Sequence, residues 1–145
     1  MTAPLFPPRA VIDTNVLLDF WVFDDPIARP LRTALESGRL IALRDGATVD
    51  ELADVVARIK FDLSAHRQME ILRLWDRLSQ PVGRVFPSRL HCTDPLDQKF
   101  LDLAVSARAD WLVSKDKAVL KLARKARADG LAILRPDQAS TQIEG

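Results

Sequence analysis

The sequence predicts an α/β fold of three layers, with helices on both faces of a central parallel β-sheet. Two observations carry this. Short apolar runs of strand length recur along the chain, and stretches with apolar residues at helical spacing separate them. Strands that alternate with helices form parallel sheets whose two faces are both covered. The second observation is size. A chain of 145 residues, 48% apolar and 28% charged, is the scale of one globular core, so a single domain over residues 1–145 is expected.

Residues 1–8 read as a peripheral lead. Arg9–Asp13 reads as a buried strand that ends in an acid. Thr14–Phe23 places Val16, Leu17, Phe20 and Phe23 at helical spacing. Asp24-Asp25-Pro26 ends that helix, and Pro26 or Pro30 opens another that runs to about Ser37, with Gly38 as its stop. Leu40–Leu43 is a second strand. Thr48–Arg58 carries Val49, Leu52, Val55 and Val56 on one face and is a helix. Ser64–Leu78 is a longer helix with Met69, Leu72, Trp75 and Leu78 inward.

Val82–Phe86, bounded by Pro81 and Pro87, reads as a strand, and Ser88–Pro95 as a loop. Leu96–Arg108 is helical, and Asp110–Ser114 is a strand ending in polar residues. Lys117–Asp129 reads as one basic amphipathic helix stopped at Gly130. Leu131–Leu134 closes the sheet, and residues 136–145 form a polar, peripheral tail.

No run approaches the roughly 18 apolar residues of a membrane span, and Met1-Thr2-Ala3-Pro4 does not open a secretion signal. A soluble, cytoplasmic protein without membrane contact is expected. One cysteine, Cys92, excludes an internal disulfide and a cysteine zinc cage, and two histidines, His66 and His91, leave a histidine metal site without donors. The histidines read as exposed, and Cys92 as a small buried hydrophobe. Trp21, Trp75 and Trp111 fall on apolar segments and read as core.

The net charge is +1, which gives no whole-molecule attraction to nucleic acid. Between Lys99 and Arg135, however, nine basic residues face four acidic ones. Lys117, Lys121, Arg124 and Lys125 follow i, i+4, i+7, i+8 spacing. That stripe reads either as a rail for an RNA backbone or as a solvated helix face.

Ligands of parallel sheets bind at the carboxyl ends of the strands, and the residues there are acids. Asp13 ends the first strand, and Asp116 lies just beyond the strand through Val113. Asp97 starts the helix entering that strand, Asp94 is a turn earlier, and Glu51 sits in the first turn of the helix after the second strand. Carboxylates converging on one edge repel unless a cation lies between them. Oxygen donors without His or Cys select a hard ion such as Mg²⁺ or Mn²⁺, which meets its substrate through phosphate oxygens. An Asp at a helix start is also a common cap, so Asp94 and Asp97 carry that second reading.

Four segments sharpen the pattern. Val11-Ile12-Asp13-Thr14-Asn15-Val16-Leu17-Leu18 resembles the opening of the PIN-domain nucleases. Glu51 through Phe61 is similar to the second family segment, Cys92 through Ala104 to the third, and Ala109 through Asp116 to the fourth. They occur in family order, nearest to a small bacterial branch of toxins from toxin–antitoxin pairs. The resemblance implies a PIN-like α/β/α domain with an acidic pocket for one or two Mg²⁺ or Mn²⁺ ions. By position it makes Asp13, Glu51, Asp97 and Asp116 the catalytic, metal-binding quartet and Asp94 an additional metal acid. Asn15 and Ser114 become polar pocket residues.

The implied activity is metal-dependent endoribonuclease cleavage of RNA. The implied partners are a cognate antitoxin protein and a second copy of the chain in a homodimer. Ser114-Lys115-Asp116 departs from the Thr-Gly-Asp of the family pattern, and Ile59 stands where a proline is common. An inactive RNA-binding or scaffold module of the same fold is the alternative. Asp13-Thr14-Asn15-Val16 also resembles a haloacid-dehalogenase-like phosphatase loop, but there the second acid donates a proton, and Asn15 cannot.

Overall fold

In the computed structural model, which describes residues 6–144, five parallel strands form one sheet. They are β1 (Arg9–Ile12), β2 (Ile41–Arg44), β3 (Ser79–Pro81), β4 (Trp111–Val113) and β5 (Ala132–Leu134), in the order β3-β2-β1-β4-β5. The first five residues of the expected lead and the last residue of the expected tail lie outside the described residues. Pro8 is not peripheral: its carbonyl accepts from the Ile41 amide at 2.9 Å and extends the pairing of β1 with β2.

The strands sort their side chains by the twofold alternation of a pleated strand. Ala10 and Ile12 of β1, with Trp111 and Val113 of β4, enter one apolar cluster. Val11, Leu43, Leu112 and Ile133 enter the other. The first cluster is covered by α1 (Thr14–Trp21), α2 (Arg29–Glu36), α3 (Gly46–Val56), α4 (Ala65–Leu78) and α8 (Pro136–Glu144). The second is covered by α5 (Gln98–Ser106), α6 (Lys117–Leu120) and α7 (Ala123–Ala126). Phe20 and Phe100, each 1% exposed, are the largest fully buried side chains. Truncating either to alanine costs about 3–5 kcal/mol.

The fold is the expected α/β/α arrangement, and strand order explains where its site lies. The chain steps outward from β1 through β2 to β3, then returns to place β4 on the other side of β1. The order reverses between β1 and β4, and the carboxyl ends of the strands at such a reversal are where open parallel sheets form their ligand crevice.

Four local expectations are corrected. Strand β3 covers Ser79–Pro81 rather than Val82–Phe86; its ladder ends with the Val82 amide donating to the Arg44 carbonyl at 2.9 Å. Pro81 bounds nothing: it lies in an edge strand, where a missing N–H leaves no ladder bond unmade. In α4 the buried residues are Ile71 and Trp75, while Met69 is 47% exposed and Leu72 and Leu78 are half-buried.

The basic helix over Lys117–Asp129 breaks at Lys121–Leu122 into α6, α7 and a 3₁₀ turn ending at Gly130, whose φ is 72°. Val119, Leu122 and Ala126 pack inward and pull the chain off a single helical course. Lys117, Lys121, Arg124 and Lys125 are exposed, but no one helix carries them as a stripe. The residues expected as a tail form α8, which packs on α2. Ala139 is fully buried, and the Ser140 hydroxyl donates to the Ile27 carbonyl at 2.9 Å. Pro136 starts this helix, as proline does in a first turn. Its few apolar residues leave too weak a period to announce it.

Candidate metal centre

Three of the acids cap helices that begin at the edge of the crevice. Asp13 follows β1 and caps α1, one oxygen accepting from the Asn15 amide at 3.4 Å. Asp116 follows β4 and caps α6, accepting from the Ala118 amide at 2.8 Å. Asp94 caps the 3₁₀ turn Pro95–Asp97, accepting from the Leu96 amide at 3.0 Å. Each cap occupies one carboxylate oxygen and fixes the direction of the other.

Ser114 links two of them. Its hydroxyl donates to Asp13 Oδ2 at 2.7 Å and accepts from the Asp116 amide at 3.0 Å. Asp13 and Ser114 are both buried, so this bond is shielded from competing water.

Asp97 is different. It is 8% exposed, no cap bond engages its side chain, and its buried Oδ2 accepts no hydrogen bond. One carboxylate oxygen from each of Asp94, Asp97 and Asp116 lies within 4.8 Å of the other two. Burial pushes the Asp97 carboxyl up to about 7, reinforced by the abutting Asp116 carboxylate and the charges of Asp13 and Asp94. Burial also raises Asp13, against the donors from Ser114 and Asn15, and the charges of Glu51 and Asp116 raise it further. A buried acid that no donor reaches, facing carboxylates, lacks a positive partner. Oxygen donors alone, with no His or Cys among them, suit a hard divalent ion. The residues fit such an ion.

Of the residues singled out in the sequence, Asp94, Asp97 and Asp116 converge, and Asp13 stands beside them through Ser114. Glu51 does not join the convergent three. Helix α3 begins at Gly46, capped by Asp45 in a reciprocal box with Thr48, so Glu51 falls in its second turn rather than its first. There it accepts from the Thr14 hydroxyl and pairs with Lys99 Nζ at 3.0 Å. The Asn15 side chain is exposed at the first turn of α1.

Three contributors escaped the sequence reading. Thr14 and Lys99 hold Glu51, and Asp19 is a buried acid paired with Lys115 Nζ at 2.7 Å. Asp19 carried a signal: an acid in α1 between the apolar Leu18 and Phe20 needs a cation nearby. Lys115, where the family pattern has a glycine, supplies it.

The family model for the PIN domain matches residues 9–118. The chain belongs to the PIN-domain family. The matched segment runs from β1 into α6 and contains every acid of the centre; β5 and α8 lie beyond it. No curated protein matches the chain. Among the described residues, no helix is long and apolar enough to cross a membrane.

Proposed function

We propose that the protein is a divalent-metal-dependent endoribonuclease acting as the toxin of a toxin–antitoxin pair. The observation that carries the metal-dependent reading is Asp97 Oδ2, buried without a donor where Asp94 and Asp116 converge. The endoribonuclease activity is supported by membership of the PIN family, and the toxin role by the likeness of the four segments to its small bacterial toxins.

Asp94, Asp97 and Asp116 would hold Mg²⁺ or Mn²⁺, with Asp13 beside them. The ion supplies charge neutralisation at the scissile phosphate and lowers the pKa of water. The chain's own residues prepare the site. Ser114 holds the Asp13 carboxylate in one rotamer and ties it to the turn that carries Asp116. The caps on Asp94 and Asp116 each leave a second carboxylate oxygen for the ion, and both Asp13 oxygens are fixed by the Asn15 amide and the Ser114 hydroxyl, so little reorganisation accompanies binding. Asn15 offers an exposed amide at the crevice for a phosphate or ribose oxygen. A cognate antitoxin is expected to cover the acids with basic side chains, and the homodimer is the expected assembly.

Cleavage of a structured RNA pool tests this, with wild type and Asp13→Asn each assayed in Mn²⁺, Mg²⁺ and EDTA. Metal-dependent fragments from the wild type alone are expected, together with growth arrest on induced expression. A folded wild type that binds RNA without cutting it in either metal favours the scaffold alternative instead.

A further inference from the structure

Resting on the metal-dependent reading, we propose that Lys99 is a resident cation that fills the place of a second ion, so that the centre takes one divalent ion and not two. Glu51 stands outside the convergent three, yet its charge acts on Asp13. A second ion at this edge of the crevice needs Glu51 as a donor. Both Glu51 oxygens are already engaged, one by the Thr14 hydroxyl and the other by Lys99 Nζ.

Lys99 is itself held. Its ammonium donates to the Leu96 carbonyl at 2.6 Å and lies 5.7 Å from the centre of the Phe100 ring. The side chains of the pair are only 24% and 21% exposed. An ammonium with three donors, fixed by a carbonyl and a carboxylate in a half-buried position, is a localised positive charge and not a mobile surface lysine. It neutralises Glu51, whereas Asp97 Oδ2 is buried without a donor. A divalent ion is drawn to Asp97, where charge is uncompensated, and is repelled at Glu51, where it meets Lys99. Lys99 is thus a positioning residue for Glu51 and sets the number of ions bound.

The test is metal stoichiometry, read by calorimetric Mn²⁺ titration and by counting bound Mn²⁺ after desalting, with circular dichroism to establish folding. The proposal expects one ion for wild type and for Lys99→Arg, and two for Lys99→Met. The double variant Glu51→Gln with Lys99→Met returns to one, because the second ion loses its donor. Glu51→Gln alone also keeps one, and Asp97→Asn keeps none. Two ions on wild type, or one on folded Lys99→Met, overturn the role of Lys99 while leaving the metal-dependent reading intact. No ion on any variant overturns that reading itself, and the inference with it.

Discussion

The Ser114 hydroxyl lies 2.7 Å from Asp13 Oδ2, joining the carboxyl ends of β1 and β4 across 101 residues of sequence. The Ser114 hydroxyl oxygen in turn accepts from the Asp116 amide at 3.0 Å. A single hydroxyl therefore sets the spacing between two acids that belong to different strands, and the pocket's shape depends on it.

Ser114→Ala removes the donor from a buried carboxylate and the acceptor from a backbone N–H. Leaving such groups unpaired costs about 1–3 kcal/mol. A fall in Tm is expected, with Mn²⁺ affinity lowered about 10-fold or more, as for other losses of groups that orient metal ligands. Thermal melts and Mn²⁺ titration of the same preparation read both effects. An unchanged affinity removes Ser114 from the pocket's architecture.

Asp97 makes metal-free stability depend on pH in a defined direction. Its folded pKa of about 7 lies above the 3.8 of a free aspartate, so between those values the folded chain keeps a proton that the unfolded chain has lost. Its contribution is complete below pH 4 and is lost as pH rises through 7. Melting curves in EDTA across that range should show wild type losing stability relative to Asp97→Asn as pH rises. Metal affinity should move the other way, strengthening toward pH 7 and levelling above it, because the ion competes with that proton. A wild-type profile parallel to that of Asp97→Asn contradicts this assignment.

Asp19 depends on Lys115. Its side chain is 5% exposed, and Lys115 Nζ reaches it at 2.7 Å from the turn between Ser114 and Asp116. Lys115→Ala strands a buried carboxylate, and a loss of about 1–3 kcal/mol is expected. Pairing it with Asp19→Asn should recover most of that loss. Denaturant melts of the two single variants and the double variant decide it, and strictly additive losses would show that the two side chains are uncoupled.

Helix α8 contributes to the core of the first layer through Ala139, which is fully buried against α2. Ala139→Leu overpacks this contact and should cost about 1–3 kcal/mol. Had residues 136–145 been a solvated tail, the same change would leave Tm where it is.

What the sequence disclosed and what it withheld follow from the range of the forces involved. The strands around the site were legible because Val11-Ile12 and Leu112-Val113 are apolar runs that end in polar residues, a pattern set by burial on both faces. Asp13 and Asp116 were legible as acids at or just beyond strand ends. That Asp94 caps while Asp97 does not was not legible, because both sit at a helix start and only the path of the turn decides which oxygen finds an amide. The Glu51–Lys99 pair spans 48 residues and the Asp19–Lys115 pair 96, and local spacing carries no trace of either. Strand β3 was misplaced because an edge strand needs little apolar content, and Val82 and Val85 imitated one.

The claim at the centre of this account is that Asp94, Asp97 and Asp116 share a divalent ion. Crystals grown with Mn²⁺ and measured for its anomalous scattering test that claim most directly. An anomalous peak within bonding distance of Asp97 Oδ2 and of carboxylate oxygens from Asp94 and Asp116 is the predicted result. A folded protein with no peak there, or with Mn²⁺ held only by other residues, would contradict it.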